Sequence, residues 1–190
     1  WHYEITGHAM EEVVKQAAGP KGRYRGMASA TGSAGTIASG DYMKQVFPGS
    51  VIVASEALQC PTLLENGFGS HRIEGIGDKH VPWIHNSKNT DMVVAIDDTA
   101  VVNIARLFNE PAGRKYLASK GVPEAVVAQL DLLGFSGISN VLSAIKAAKY
   151  YEMGEDDIMV TVLTDSMELY QSRLKEMHTE FGEYTAEDAS

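Results

Sequence analysis

A chain of 190 residues, 44% hydrophobic and 22% charged, is long enough to bury one substantial core, and one soluble globular domain is the default. Its formal net charge of -9 and isoelectric point near 5.1 argue against nucleic acid or an anionic membrane surface as the main partner. No apolar run approaches a membrane span, no basic region followed by an apolar stretch opens the chain, and the single cysteine, Cys60, cannot form an internal disulfide; a cytoplasmic, reducing setting is the expectation.

The chain opens on Trp1 rather than methionine, which points to a segment missing upstream. Met10, Val13, Val14 and Ala17 share one helical face, with Thr6 available as the cap and Gly19-Pro20 as the stop. A strand over Tyr24 to Ala30, a polar bend and a helix from about Thr36 to Phe47 follow, then the apolar run Val51 to Ala54, which reads as a strand buried on both faces. From Ala57 to Asn89 prolines and glycines break any period, and so long an irregular stretch is often functional.

Met92 to Ile96 predicts another buried strand and Asp98 to Asn109 a helix, while Pro111 and Pro123 can each open a short one. Leu132 to Phe135 predicts a short strand broken at Ser136-Gly137, followed by a helix with Ile138, Val141, Leu142, Ile145 and Ala148 on one face. A strand over Ile158 to Leu163 and a helix over Ser166 to Met177 end the pattern, and residues 183–190 read as a loose acidic tail. Strands alternating with helices imply an α/β fold, a mostly parallel sheet with helices on both faces and ligands beyond the carboxyl ends of its strands.

The bend Gly32-Ser33-Ala34-Gly35-Thr36 falls at such an edge. Backbone N–H groups at the first turn of a helix lack intrahelical partners and carry partial positive charge, so they can hold a phosphate without a lysine. Thr36 and Ile37 follow Gly35, which excludes the nucleotide-triphosphate loop with its lysine, and the dinucleotide spacing of three glycines is absent too. The plainer alternative is a tight strand-to-helix turn capped by Thr31 or Ser33. Ser136-Gly137 lies after another predicted strand, so the two turns could face one ligand.

Taken together and in order, Tyr3-Glu4-Ile5-Thr6-Gly7, Gly32-Ser33-Ala34-Gly35-Thr36, Ser55-Glu56, His71 to Gly77, Asp97-Asp98, Gly134 to Ile138 and Asp165-Ser166 resemble pyridoxal-phosphate enzymes of fold type II, the cysteine synthase and cystathionine beta-synthase type. Tyr3-Glu4-Ile5-Thr6-Gly7 is similar to their Y-x-x-T-G, Gly32 to Thr36 to their phosphate cup G-T-G-G-T, and Ser55-Glu56 to the V-E pair after the next strand. His71-Arg72-Ile73-Glu74-Gly75-Ile76-Gly77 resembles H-x-I-x-G-I-G on the substrate side of the cofactor, Asp97-Asp98 the start of the D-E-x-A helix, and Gly134 to Ile138 the motif G-I-S-S-G. Asp165-Ser166 with Tyr170 resembles the last strand-to-helix turn. Ile138 in place of glycine and Thr164 in place of proline depart from the pattern.

The resemblance implies the large-domain portion of a tryptophan synthase beta-like fold over residues 1–182. It also implies that Gly32, Ser33, Ala34, Gly35 and Thr36 hold the phosphate of pyridoxal 5'-phosphate and that the Ser136 hydroxyl meets the pyridine nitrogen. Gly75, Ile76 and Gly77 would border a small amino-acid substrate undergoing beta-elimination, replacement or related C-C or C-S chemistry. The Schiff-base lysine of these enzymes lies in an N-terminal part that nothing here resembles. The chain therefore reads as a C-terminal fragment partnered by the missing half, in an enzyme that is usually a homodimer. The stretch Asp78 to Asn86 and the segment Glu110 to Leu130 resemble a longer bacterial subfamily that includes the beta subunit of 2-amino-4-oxopentanoate thiolase. The alternative is a noncatalytic module, or partner subunit, that binds a phosphorylated metabolite. Around His80 and His85 no further ligand stands at metal spacing, so no metal is expected; Cys60 reads as a small buried residue.

Overall fold

The computed structural model describes all 190 residues. Four parallel strands, β1 (Arg23–Ala30), β2 (Val51–Ala57), β3 (Met92–Ile96) and β4 (Asp157–Val160), lie in the order β3-β2-β1-β4. Ala28 pairs with Val53 and Ala30 with Ser55, so β1 and β2 reach the carboxyl edge together. Eight helices join them: α1 (Gly7–Ala17), α2 (Ala38–Val46), α3 (Thr62–Glu65), α4 (Asp98–Asn109), α5 (Pro111–Ser119), α6 (Glu124–Val127), α7 (Phe135–Tyr150) and α8 (Gln171–Phe181). No single helix is long and apolar enough to cross a membrane.

The period of two along the strands divides the core. Met27, with Met10, Val14 and Met43, and Ile52 and Ala54, with Ala34 and Ile37, face α1 and α2. Ala28, Val53 and Ala57 face the opposite way, into a cluster with Val101 and Val102 of α4, Ile138 of α7 and Met177 of α8. The α/β expectation of a parallel sheet covered on both faces holds.

Four local expectations fail for identifiable reasons. Thr6 does not cap α1: it is itself in a helical conformation, after a π-helical turn over His2–Thr6, and its Oγ1 lies 2.9 Å from His2 Nδ1. Leu132 to Phe135 is not a strand, because the Asp165 carboxylate accepts the N–H groups of Ser136 and Gly137 and starts α7 at Phe135. The buried face of α7 is only partly the expected one: Ile138 is buried and Leu142 packs on the core, but Ile145 is 46% exposed and Ser136, Ser139, Asn140, Ser143 and Ala147 are buried in its place. Hydrogen bonding to the strands beneath overrides the apolar period, with Ser143 Oγ against Ser55 Oγ and Asn140 against Ala30. Residues 183–190 are not loose, since Tyr184 and Ala189 are buried and Arg106 donates to the Gly182 carbonyl at 2.6 Å.

Candidate functional site

At the end of β1, Thr31 anchors the departing chain by giving both its N–H and its hydroxyl to the Ser55 carbonyl, at 2.8 and 3.1 Å. The backbone N–H groups of Gly32, Ser33, Ala34, Gly35, Thr36 and Ile37 then meet no acceptor in the chain, while the carbonyls of Gly35, Thr36 and Ile37 accept from the first turn of α2. A run of free donors at the positive end of a helix is a ready anion cradle. Neither Thr31 nor Ser33 caps α2, so the plainer strand-to-helix reading loses its mechanism. Ala34 sits in the left-handed region at φ 62° with its methyl buried beside Ile37, Ile52 and Ala54.

Two neighbours narrow this cradle. Gly77 donates its N–H to the Thr31 carbonyl at 2.7 Å, which lays Gly75-Ile76-Gly77 alongside the bend. Its φ of 88° and the His71 ring, whose Nε2 would lie 2.6 Å from any Cβ there, leave room for glycine alone. On the other side a Cβ at Gly35 would lie 3.0 Å from Nε2 of His2. The sequence reading did not single out His2; the signal available was its position four residues before Thr6, which takes its Nδ1 and leaves Nε2 toward the bend.

Ser136, 6% exposed, stands in the first turn of α7. One turn on, Asn140 accepts the Ala30 N–H and donates to the Val162 carbonyl, each at 2.7 Å, which fixes this turn to the end of β1 two residues before Gly32. The bend, the Gly75 to Gly77 segment and Ser136 therefore share one edge of the sheet, although Ser136 follows a 3-10 turn rather than a strand. Asp165 holds the N–H groups of Ser136 and Gly137 at 3.0 and 2.8 Å, and Thr164 Oγ1 stands 3.4 Å from Ser136 Oγ. Tyr170, its ring 5.1 Å from that of Phe135, has its phenol pushed up to about 12 by burial and by the facing Asp165 charge.

Three further groups, Glu56, Cys60 and His85, bond within the frame. Glu56, buried after β2, accepts the N–H groups of Leu63 and Leu64 at 2.8 and 2.9 Å and starts α3. Cys60 is a buried thiol near Thr62, and His85, bonded to Thr90 at 2.9 Å, is held below the usual imidazole range by burial.

Main-chain donors and the buried Ser136 hydroxyl on one edge suit a ligand with an anionic group and a second polar atom. A parallel α/β sheet presenting that edge is the architecture of cysteine synthase-type enzymes, and the solved structures agree. A hydrogen sulfide-producing enzyme from Fusobacterium nucleatum superposes with a TM-score of 0.68 at 27% identity, over 90% of this chain and 45% of that one. A cysteine synthase from Entamoeba histolytica does so with a TM-score of 0.69 at 20% identity, over 92% of this chain and 46% of that one. By sequence the chain is 31% identical over 142 residues to cysteine synthase B of Campylobacter jejuni and 29% identical over 143 residues to a cysteine synthase of Staphylococcus aureus, in each case over 74% of this chain and 40% of the relative. No protein-family model matches. The relatives are cysteine synthases, and the chain corresponds to the C-terminal portion of proteins about twice its length.

Proposed function

We propose that this chain is the cofactor-binding C-terminal portion of a pyridoxal-phosphate enzyme that acts at the beta carbon of a small amino acid. The observation that carries the reading is the uninterrupted set of unpartnered N–H groups from Gly32 to Ile37 at the start of α2, on the same edge as the Ser136 hydroxyl. Gly32, Ser33, Ala34, Gly35 and Thr36 would hold the phosphate, and Ser136 would meet the ring nitrogen. When bound, the cofactor supplies an electron sink for bond breaking at the amino acid. An alcohol at the ring nitrogen, unlike a carboxylate, does not hold it protonated, which suits elimination and replacement. Gly75, Ile76 and Gly77 would let the main chain approach the substrate. The lysine that anchors the cofactor would come from the part of the protein outside this chain, and the working form would be a homodimer. The names of the relatives, cysteine synthase and hydrogen sulfide-producing enzyme, support chemistry on a bond between carbon and sulfur.

The test compares pyridoxal 5'-phosphate with unphosphorylated pyridoxal on the whole protein. The native protein should favour the phosphorylated form, and Gly32→Leu, which fills the bend, should weaken its binding at least about tenfold while leaving pyridoxal binding little changed. An undiminished preference for the phosphate would refute the cradle. Binding of the cofactor without any turnover of amino acids would favour the alternative, a noncatalytic module.

A further inference from the structure

We infer that Thr164 and Asp165 are positioning residues that fix the aim of the Ser136 hydroxyl. The inference rests on the reading of Ser136 given above. Asp165 grips the turn three times: its two carboxylate oxygens take the N–H groups of Ser136 and Gly137 separately, at 3.0 and 2.8 Å, and its own carbonyl accepts from Gly134 N–H at 3.0 Å. The fit is close, because a Cβ at Gly134 would fall 2.4 Å from the Asp165 carboxyl carbon. Rotation of the Ser136 backbone would break two charge-assisted bonds together, so the clamp specifies where Cβ and Oγ point.

The hydroxyl itself carries one proton and can point it in several directions. Thr164 Oγ1, 3.4 Å away, can donate to Ser136 Oγ and leave the serine proton free for an acceptor across the site. Proline, which the fold type II pattern often has at this position, offers no such donor. Asp165 also places a negative charge near an oxygen that must not act as a counter-ion. Both its oxygens are turned to the positive end of α7, and that field offsets the charge, so the residue orients the alcohol without favouring a protonated ring nitrogen.

The test is a double-mutant cycle on the whole, cofactor-loaded protein, read by the dissociation constant of pyridoxal 5'-phosphate and by the absorption and emission maxima of the bound cofactor. Asp165→Asn, whose amide can accept only one of the two N–H groups, should weaken cofactor binding about tenfold, and Thr164→Val about threefold, each with a shifted maximum. In the Ser136→Ala background both effects should shrink to less than about twofold. Effects that persist undiminished without the serine hydroxyl would overturn the inference while leaving Ser136 in place. If Ser136→Ala alone changes neither affinity nor spectrum, the assignment of Ser136 itself falls. Should Asp165→Asn fail to fold, Thr164→Val decides the matter, because the Thr164 side chain is exposed.

Discussion

Asn140→Ala probes the joint between the two ends of the site. Asn140 is 2% exposed and uses both ends of its amide, accepting from Ala30 N–H and donating to the Val162 carbonyl, each at 2.7 Å. Truncation leaves a donor and an acceptor without partners at two half-buried residues. At about 1–3 kcal/mol for each orphaned group, the expected loss is about 2–6 kcal/mol. That is a large share of the roughly 5–15 kcal/mol that holds a domain together. Native-state hydrogen exchange isolates the effect: the Ala30 amide should lose protection by several powers of ten, and cofactor affinity should fall with it, since the bend starts two residues later. Asn140→Asp sharpens the test. A protonated acid can replace both bonds, but an ionised one faces the Val162 carbonyl with a second acceptor, so its folded pKa is raised and stability should be lost as pH rises above about 4. A cost for Asn140→Ala below about 1 kcal/mol, with unchanged protection at Ala30, would refute the reasoning.

Two further outcomes follow from single contacts. Burial lowers the His85 pKa, Asp41 opposing it more weakly, so the unfolded chain takes up the proton first. The stability contributed by neutral His85 should be complete above its ordinary value of 6.5 and fall as pH drops through the lowered one, by at most about 1.4 kcal/mol per pH unit; His85→Gln should flatten that part of a pH-stability curve. Arg106, buried beneath the terminal segment, bonds the Gly182 carbonyl at 2.6 Å and has its guanidinium 5.0 Å from the Tyr184 ring. Arg106→Ala should cost about 1.5–3 kcal/mol and expose residues 183–190 to proteases well before the core unfolds.

The strands were legible because their signals are local. Met92 to Ile96 and the helix after it fall where the hydrophobic runs put them, and the structure adds that Asp97 caps α4 through the Thr99 N–H. What sequence reasoning missed depends on partners far along the chain. The buried face of α7 is chosen by Ala30 and Ser55, and the start of that helix by Asp165, none of which leaves a periodic trace in residues 132–148. The terminal segment is ordered by Arg106, a residue 76 positions before Gly182. In the site, the bend announces itself by its glycines and hydroxyls and Gly75 to Gly77 by their motif, whereas the company of His2 comes only from the fold.

Ala34 shows how a departure from the glycine-rich pattern is tolerated inside the cradle. An L residue in the left-handed region costs about 1–2 kcal/mol, which glycine would avoid. Glycine would in turn lose about 0.5–1 kcal/mol more backbone entropy on folding, and would give up about 0.8 kcal/mol from the methyl packed on Ile37, Ile52 and Ala54. The opposing terms are of equal size, so Ala34→Gly should change stability by less than about 1 kcal/mol, measured by denaturant unfolding, with no loss of phosphate preference. Stabilisation by more than about 2 kcal/mol would mean that the bend stores strain that its packing does not offset. The donors from Gly32 to Ile37 would then be held in place against the preference of their own backbone.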